Sequence, residues 1–175
     1  MSPPWPQTTP KNGPACQTTK QFSGRPQLYQ DRGIKTKSVS TREEALKLLA
    51  KKIPPGAEVM TGASATLDEI GFLQLLKLRT HQWKNLKTEI TGEKDPVRQR
   101  ELRVLAAAAQ YFVGSAHAIA GTREIVVASA SGSQIPAYAY SSNNVIWVVG
   151  AQKIASLDEG LRRVRESACQ WRAPI

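Results

Sequence analysis

A chain of 175 residues, 41% hydrophobic and 22% charged, is long enough for one domain with a core of its own and too apolar for a disordered chain. It has no apolar run near the roughly 18 residues of a membrane span and no signal-peptide core at its N-terminus, so a cytoplasmic protein without a membrane partner is expected. Its two cysteines, Cys16 and Cys169, propose no disulfide framework, and two histidines, His81 and His117, are too few for a dedicated zinc site.

The formal net charge of +10 is held unevenly. Residues 1–40 carry six basic residues against one acid, whereas 104–150 hold only Arg123 and Glu124 as charged side chains. Without interleaved aromatics or a nucleic-acid motif, the basic segment reads as solvated, and nucleic acid is not an expected partner. Residues 1–30, with six prolines in the first 26, read as a disordered Pro-rich basic arm. The folded domain is expected over 31–168, with 169–175 as an atypical tail.

In chain order, residues 34–39 alternate weakly, as an edge strand does. Thr41-Arg42-Glu43-Glu44 has capping-box spacing, and Leu46, Leu49 and Ile53 follow at helical spacing until Pro54-Pro55-Gly56 ends the helix. Residues 57–72 then read as a short strand, a small-residue turn and a helix start. Ser64 and Thr66 are both N-cap candidates there, and Thr66-Leu67-Asp68-Glu69 again has capping-box spacing. Ile70, Leu73 and Leu76 extend that helix on one face. Residues 81–91 form a more polar segment, a short helix or lid anchored by Trp83. Asp95-Pro96 starts a helix with Leu102, Leu105, Ala106 and Ala109 inward and Arg98, Arg100 and Arg103 facing away.

Three strands are expected next, over 111–115, 124–129 and 144–149. The last contains Val145-Ile146-Trp147-Val148-Val149 without polar alternation, which belongs in the middle of a helix-covered sheet. Ser156-Leu157-Asp158-Glu159 caps a final helix. Strands alternating with capped helices give an α/β fold with an open, mostly parallel sheet.

Ligands in such sheets sit at the carboxyl ends of the strands. Three loops rich in glycine, hydroxyl and amide groups would converge there, over 61–66, 129–134 and 150–153. From the first come Thr61, Gly62, Ser64 and Thr66 as candidate ligand-binding residues; from the second, Ser131, Gly132, Ser133 and Gln134. Gln152 and Lys153 complete the set, with Lys153 supplying the charge for a small carboxylate or a phosphate-bearing ligand. His117, near a strand end, is the candidate acid/base. No dinucleotide fingerprint, Walker loop or Gly-x-Ser-x-Gly elbow is present, and the residues name no cofactor.

Four ordered motifs go further. Val59-Met60-Thr61-Gly62-Ala63-Ser64-Ala65-Thr66-Leu67-Asp68-Glu69-Ile70-Gly71 resembles the first signature of LUD-domain proteins, the lactate-utilisation group. Gly114-Ser115-Ala116-His117-Ala118-Ile119, Ser131-Gly132-Ser133-Gln134-Ile135-Pro136-Ala137-Tyr138-Ala139-Tyr140 and Val145-Ile146-Trp147-Val148-Val149-Gly150-Ala151-Gln152-Lys153-Ile154 resemble the later ones. The resemblance implies a NagB/RpiA/CoA-transferase-like fold and an accessory or small-anion-binding role in oxidising lactate to pyruvate. It implies iron–sulfur proteins of the lactate-oxidising system as partners. An isomerase- or acyl-transfer-type enzyme, using His117 and Lys153, is the alternative class.

The chain also departs from the pattern. Where the family has an acidic residue, Thr and Gly, this sequence reads Gly121-Thr122-Arg123, which places arginine in a tight turn. Its Pro-rich start and its end, Cys169-Gln170-Trp171-Arg172-Ala173-Pro174-Ile175, match nothing in the family pattern. On sequence they read as altered or truncated ends, and the expectation is a degenerate member with a low, broad melting transition.

Overall fold

The computed structural model describes residues 27–30, 32–78, 80–129 and 132–168. Most of the arm, the tail, both cysteines and Ser131 therefore lie outside the described residues. Gln27–Gln30 (α1), assigned to the arm on sequence, is instead a docked helical turn. Tyr29 is buried, and its hydroxyl donates to the Ala120 carbonyl at 2.7 Å. Residues 34–39 join neither sheet, contrary to the expected edge strand. Ile34 and Thr36 are half-buried while the residues between and after them are exposed, too little apolar surface to hold a strand in register.

The helix Arg42–Lys52 (α2) begins as its spacing dictates. Thr41 Oγ1 accepts from Glu44 N–H at 3.1 Å, and the Glu44 carboxylate reaches back to Ser40 N–H at 2.9 Å. Strand β1 (Glu58–Thr61) follows, then Ala65–Glu69 (α3) and Phe72–Leu78 (α4). The second helix expected on sequence is thus two. Gly71 takes φ +80° between them, a left-handed value that glycine adopts without Cβ strain. Ser64 caps α3, so Thr66 lies inside it and its hydroxyl is turned elsewhere.

Lys84–Asn85 (β2) and Leu86–Gly92 (α5) make up the polar segment, tied down by the Trp83 indole N–H on the Ile53 carbonyl at 3.1 Å. Asp95 caps Pro96–Ala106 (α6) through Val97 N–H at 3.0 Å. Tyr111–Gly114 (β3), Ala118–Ala120 (β4), Ile125–Val126 (β5), Asn144–Trp147 (β6) and Ile154–Ala155 (β7) supply the remaining strands. Leu157–Arg163 (α7) is capped by Ser156 on Glu159 N–H.

The main sheet is parallel throughout, in the order β2-β1-β3-β6. A smaller sheet, β5-β4-β7, pairs β4 antiparallel to β5 and parallel to β7. This is an open α/β fold. One feature departs from the expectation: β6 is the outermost strand of the main sheet among the described residues, not a central one. The two central strands are β1 and β3.

Strand alternation gives the main sheet two distinct faces. Val59 and Val113, with Ile146 and Val148 beside them, pack one face against Leu49, Leu67, Phe72 and Leu76 of α2, α3 and α4. Met60, Phe112 and Trp147 belong to the other face, which α5, α6 and residues 132–141 cover. The small-residue end of α6 and the sites on both faces follow from this division.

Candidate functional site

At the carboxyl end of the first face, three separate segments bring their side chains together. Thr66 from α3, Ser115 just after β3 and Lys153 just before β7 meet in one cluster. The Lys153 ammonium donates to Thr66 Oγ1 at 2.9 Å and to Ser115 Oγ at 3.0 Å. The two hydroxyls are 3.4 Å apart. Thr66 is buried, and Ser115 and Lys153 are half-buried. Among the described residues no carboxylate lies within 4 Å of the Lys153 ammonium, and burial lowers its pKa from the usual lysine value while Glu69 at longer range acts the other way. With two of its three N–H groups on hydroxyls, Lys153 is a charged, directional donor for one further oxygen.

His117 stands beside this cluster, in the turn into β4. Its Nδ1 accepts from Ala128 N–H at 3.2 Å, and the backbone N–H of His117 donates to the Val126 carbonyl at 2.8 Å. Burial, then the Lys153 charge, lowers the imidazole pKa below its ordinary value. An Nδ1 that accepts leaves the neutral ring with its proton on Nε2, so His117 offers an N–H donor and not a free basic nitrogen.

The other sequence-selected residues fall into place as follows. The Ser64 hydroxyl is committed to its helix cap at 3.2 Å from Leu67 N. Thr61, on the strand alternation of the first face, is buried at 1% exposure, its hydroxyl without a hydrogen-bond partner among the described residues, and it also adjoins the cavity of the second face. Gln152 is exposed; its backbone carbonyl accepts from Arg163 at 2.8 Å. Gly132 is an exposed turn residue with φ +72°. Gly62, Ser133 and Gln134 instead border the second face, where a cavity of about 320 Å³ opens between β1, α5 and α6.

Two features of that second face were not legible in the sequence. Lys87 of α5 and Arg103 of α6 line the cavity, although Arg103 was expected to face away from the core. Leu105, expected inside, is 64% exposed, whereas Ala106 and Ala109 are buried and Leu102 is half-buried, as expected. Residues 132–141 hold Tyr138 over Gly114, with edge contacts to Phe112 at 5.2 Å and Trp147 at 5.6 Å. Burial pushes the Tyr138 hydroxyl up to about 12. Ser141 and Ser142 anchor this segment by donating to the Ala107 carbonyl at 2.6 and 2.9 Å.

Searches among curated proteins and among solved structures return no significant match. The family model of the LUD domain matches residues 27–173, a span that takes in both sheets, the Lys153 cluster and the cavity. The chain belongs to the LUD-domain family.

Proposed function

We propose that this LUD-domain protein is an accessory component of lactate utilisation that binds a short monocarboxylate, lactate or pyruvate, at the carboxyl end of its main sheet. Family membership implies a role associated with lactate utilisation. The observation that carries the finer reading is the Lys153 ammonium held by Thr66 and Ser115 hydroxyls at 2.9 and 3.0 Å, with no carboxylate within 4 Å among the described residues. One positive charge among neutral donors suits one carboxylate, and the His117 N–H suits the neighbouring hydroxyl or keto oxygen. Iron–sulfur proteins of the lactate-oxidising system are the proposed partners and the cytoplasm the proposed compartment.

Titration calorimetry with lactate and pyruvate tests this. The intact protein should bind at least one of them, and Lys153→Met should weaken binding about ten- to a hundredfold, the loss of one charge-assisted hydrogen bond. No binding by folded wild-type protein overturns the reading.

A second reading, an isomerase- or acyl-transfer-type enzyme, draws support from His117 lying within reach of the Lys153 charge. In it His117 acts as a donor of its Nε2 proton. His117→Asn retains an acceptor for Ala128 N–H, so it should lower turnover of a CoA ester while leaving affinity intact. Loss of folding together with turnover would return His117 to a structural role.

A further inference from the structure

The cavity on the second face has its own electrostatic character, and the Lys153 cluster, on the first face of the sheet, takes no part in its lining. Its walls are Met60, Ile90 and Phe112, its polar edge is formed by Gln134 with Ser129 and Ser133, and its charged lining consists of Lys87 and Arg103. Among the described residues no aspartate or glutamate lines it. Lys87 is half-buried, and no carboxylate lies within 4 Å of its ammonium among the described residues. Burial, and then the like charge of Lys77, lower its pKa, so the ammonium is held where it lacks compensation.

Arg103 is oriented rather than loose. Its Nη2 donates to Gln99 Oε1 at 2.8 Å, and the Gln99 amide nitrogen is pinned to the carbonyls of Ile90 at 3.1 Å and Glu93 at 3.3 Å. That clamp fixes one edge of the guanidinium and leaves its remaining N–H groups for an acceptor. The wall opposite is kept open by Gly62, where a Cβ would overlap the Gln134 amide oxygen. Two cations with no acid among them match a dianion; a monocarboxylate would compensate only one.

We propose that this cavity is a second ligand site, which takes the phosphate group of a small phosphate monoester between the Lys87 ammonium and the Arg103 guanidinium. The apolar walls and the Gln134 amide then meet the short carbon body of the ester. Its volume of about 320 Å³ accommodates a metabolite of that size.

Titration of the full chain with glycerol 3-phosphate, followed by phosphorus NMR, is the test. Wild-type protein should bind it, with affinity that falls as salt rises. Lys87→Met and Arg103→Gln should each weaken binding tenfold or more, while Lys153→Met should leave it unchanged. Arg103 is exposed, so its variant keeps the fold even if the Lys87 variant does not. No binding by the wild type, or binding as tight as the wild type's by both cavity variants, overturns the proposal. So does loss of phosphate binding in Lys153→Met, which would move the ester to the other face. The monocarboxylate reading is judged separately by lactate and pyruvate titrations, so either can fail alone.

Discussion

Two residues carry most of what is unusual in this chain. Arg123 closes the turn between β4 and β5 at φ +90°, where the family pattern resembled by the sequence has glycine. Its N–H donates to the Ala120 carbonyl at 3.0 Å, so the backbone is held in this conformation by the hairpin. A left-handed non-glycine residue costs roughly 1–2 kcal/mol, offset in part by the extra chain entropy of an unfolded glycine. Arg123→Gly is therefore expected to stabilise the protein by about 0.5–1 kcal/mol, read as a higher denaturant midpoint at unchanged slope. An unchanged or lower midpoint would show that the turn is not strained.

His117 sets the pH behaviour. Because burial and Lys153 lower its folded pKa below the usual value, the unfolded chain binds its proton first. Its contribution to stability is full above the unfolded pKa of about 6.5 and is lost as pH falls through the folded pKa. Urea unfolding between pH 5 and 7.5 should show this loss in the wild type and a shallower loss in His117→Asn. Lys153→Met should move the imidazole titration upward, because a like charge has been removed. A downward or absent movement in the NMR titration would separate the two residues.

Among the elements, the segment 132–141 lies against the sheet where two glycines, Gly62 and Gly114, leave room for its side chains. A Cβ on Gly114 would overlap Tyr138 Oη and stand 2.8 Å from its Cζ. Phe112 and Trp147 hold that ring on its edges, so it has little room to yield. Gly114→Ala should cost about 1–3 kcal/mol, as overpacking does. At Gly62 the obstructing atom is the far end of the flexible Gln134 side chain, so Gly62→Ala should cost much less and act on the cavity. Equal melting temperatures for the two variants would contradict this assignment.

Capped helices were legible in the sequence because a cap is a local contract between residues two or three apart; Thr41, Asp95 and Ser156 each accept a first-turn N–H of the helix they were expected to start. The capping-box spacing at Thr66 misled, since Ser64 two residues earlier satisfies the same helix and frees Thr66 for Lys153. Strands β2, β4 and β7 have two or three residues, too few to show a period. The position of β6 was misread for a different reason. Both its faces are covered, by the main core and by Tyr138, and covered faces produce the same apolar run whether a strand is central or outermost. Its place in the order is a matter of hydrogen bonds, which leave no mark on side-chain composition. Lys87 and Arg103 come to line one cavity only through the docking of α5 and α6, so nothing in their spacing pointed to it.

For the whole molecule, the sheet divides the three converging loops into two neighbourhoods. Hydroxyls and one ammonium gather at one face, and two cations and an amide at the other. The central claim is that the first neighbourhood, around Lys153, takes a monocarboxylate. Amide chemical-shift mapping with pyruvate tests it most directly, because the two faces give different sets of signals. The largest saturable shifts are expected at Thr66, Ser115, His117 and Lys153, with Lys87 and Arg103 little affected. Saturable shifts centred on Lys87 and Arg103, or none at all at the Lys153 cluster, would contradict it.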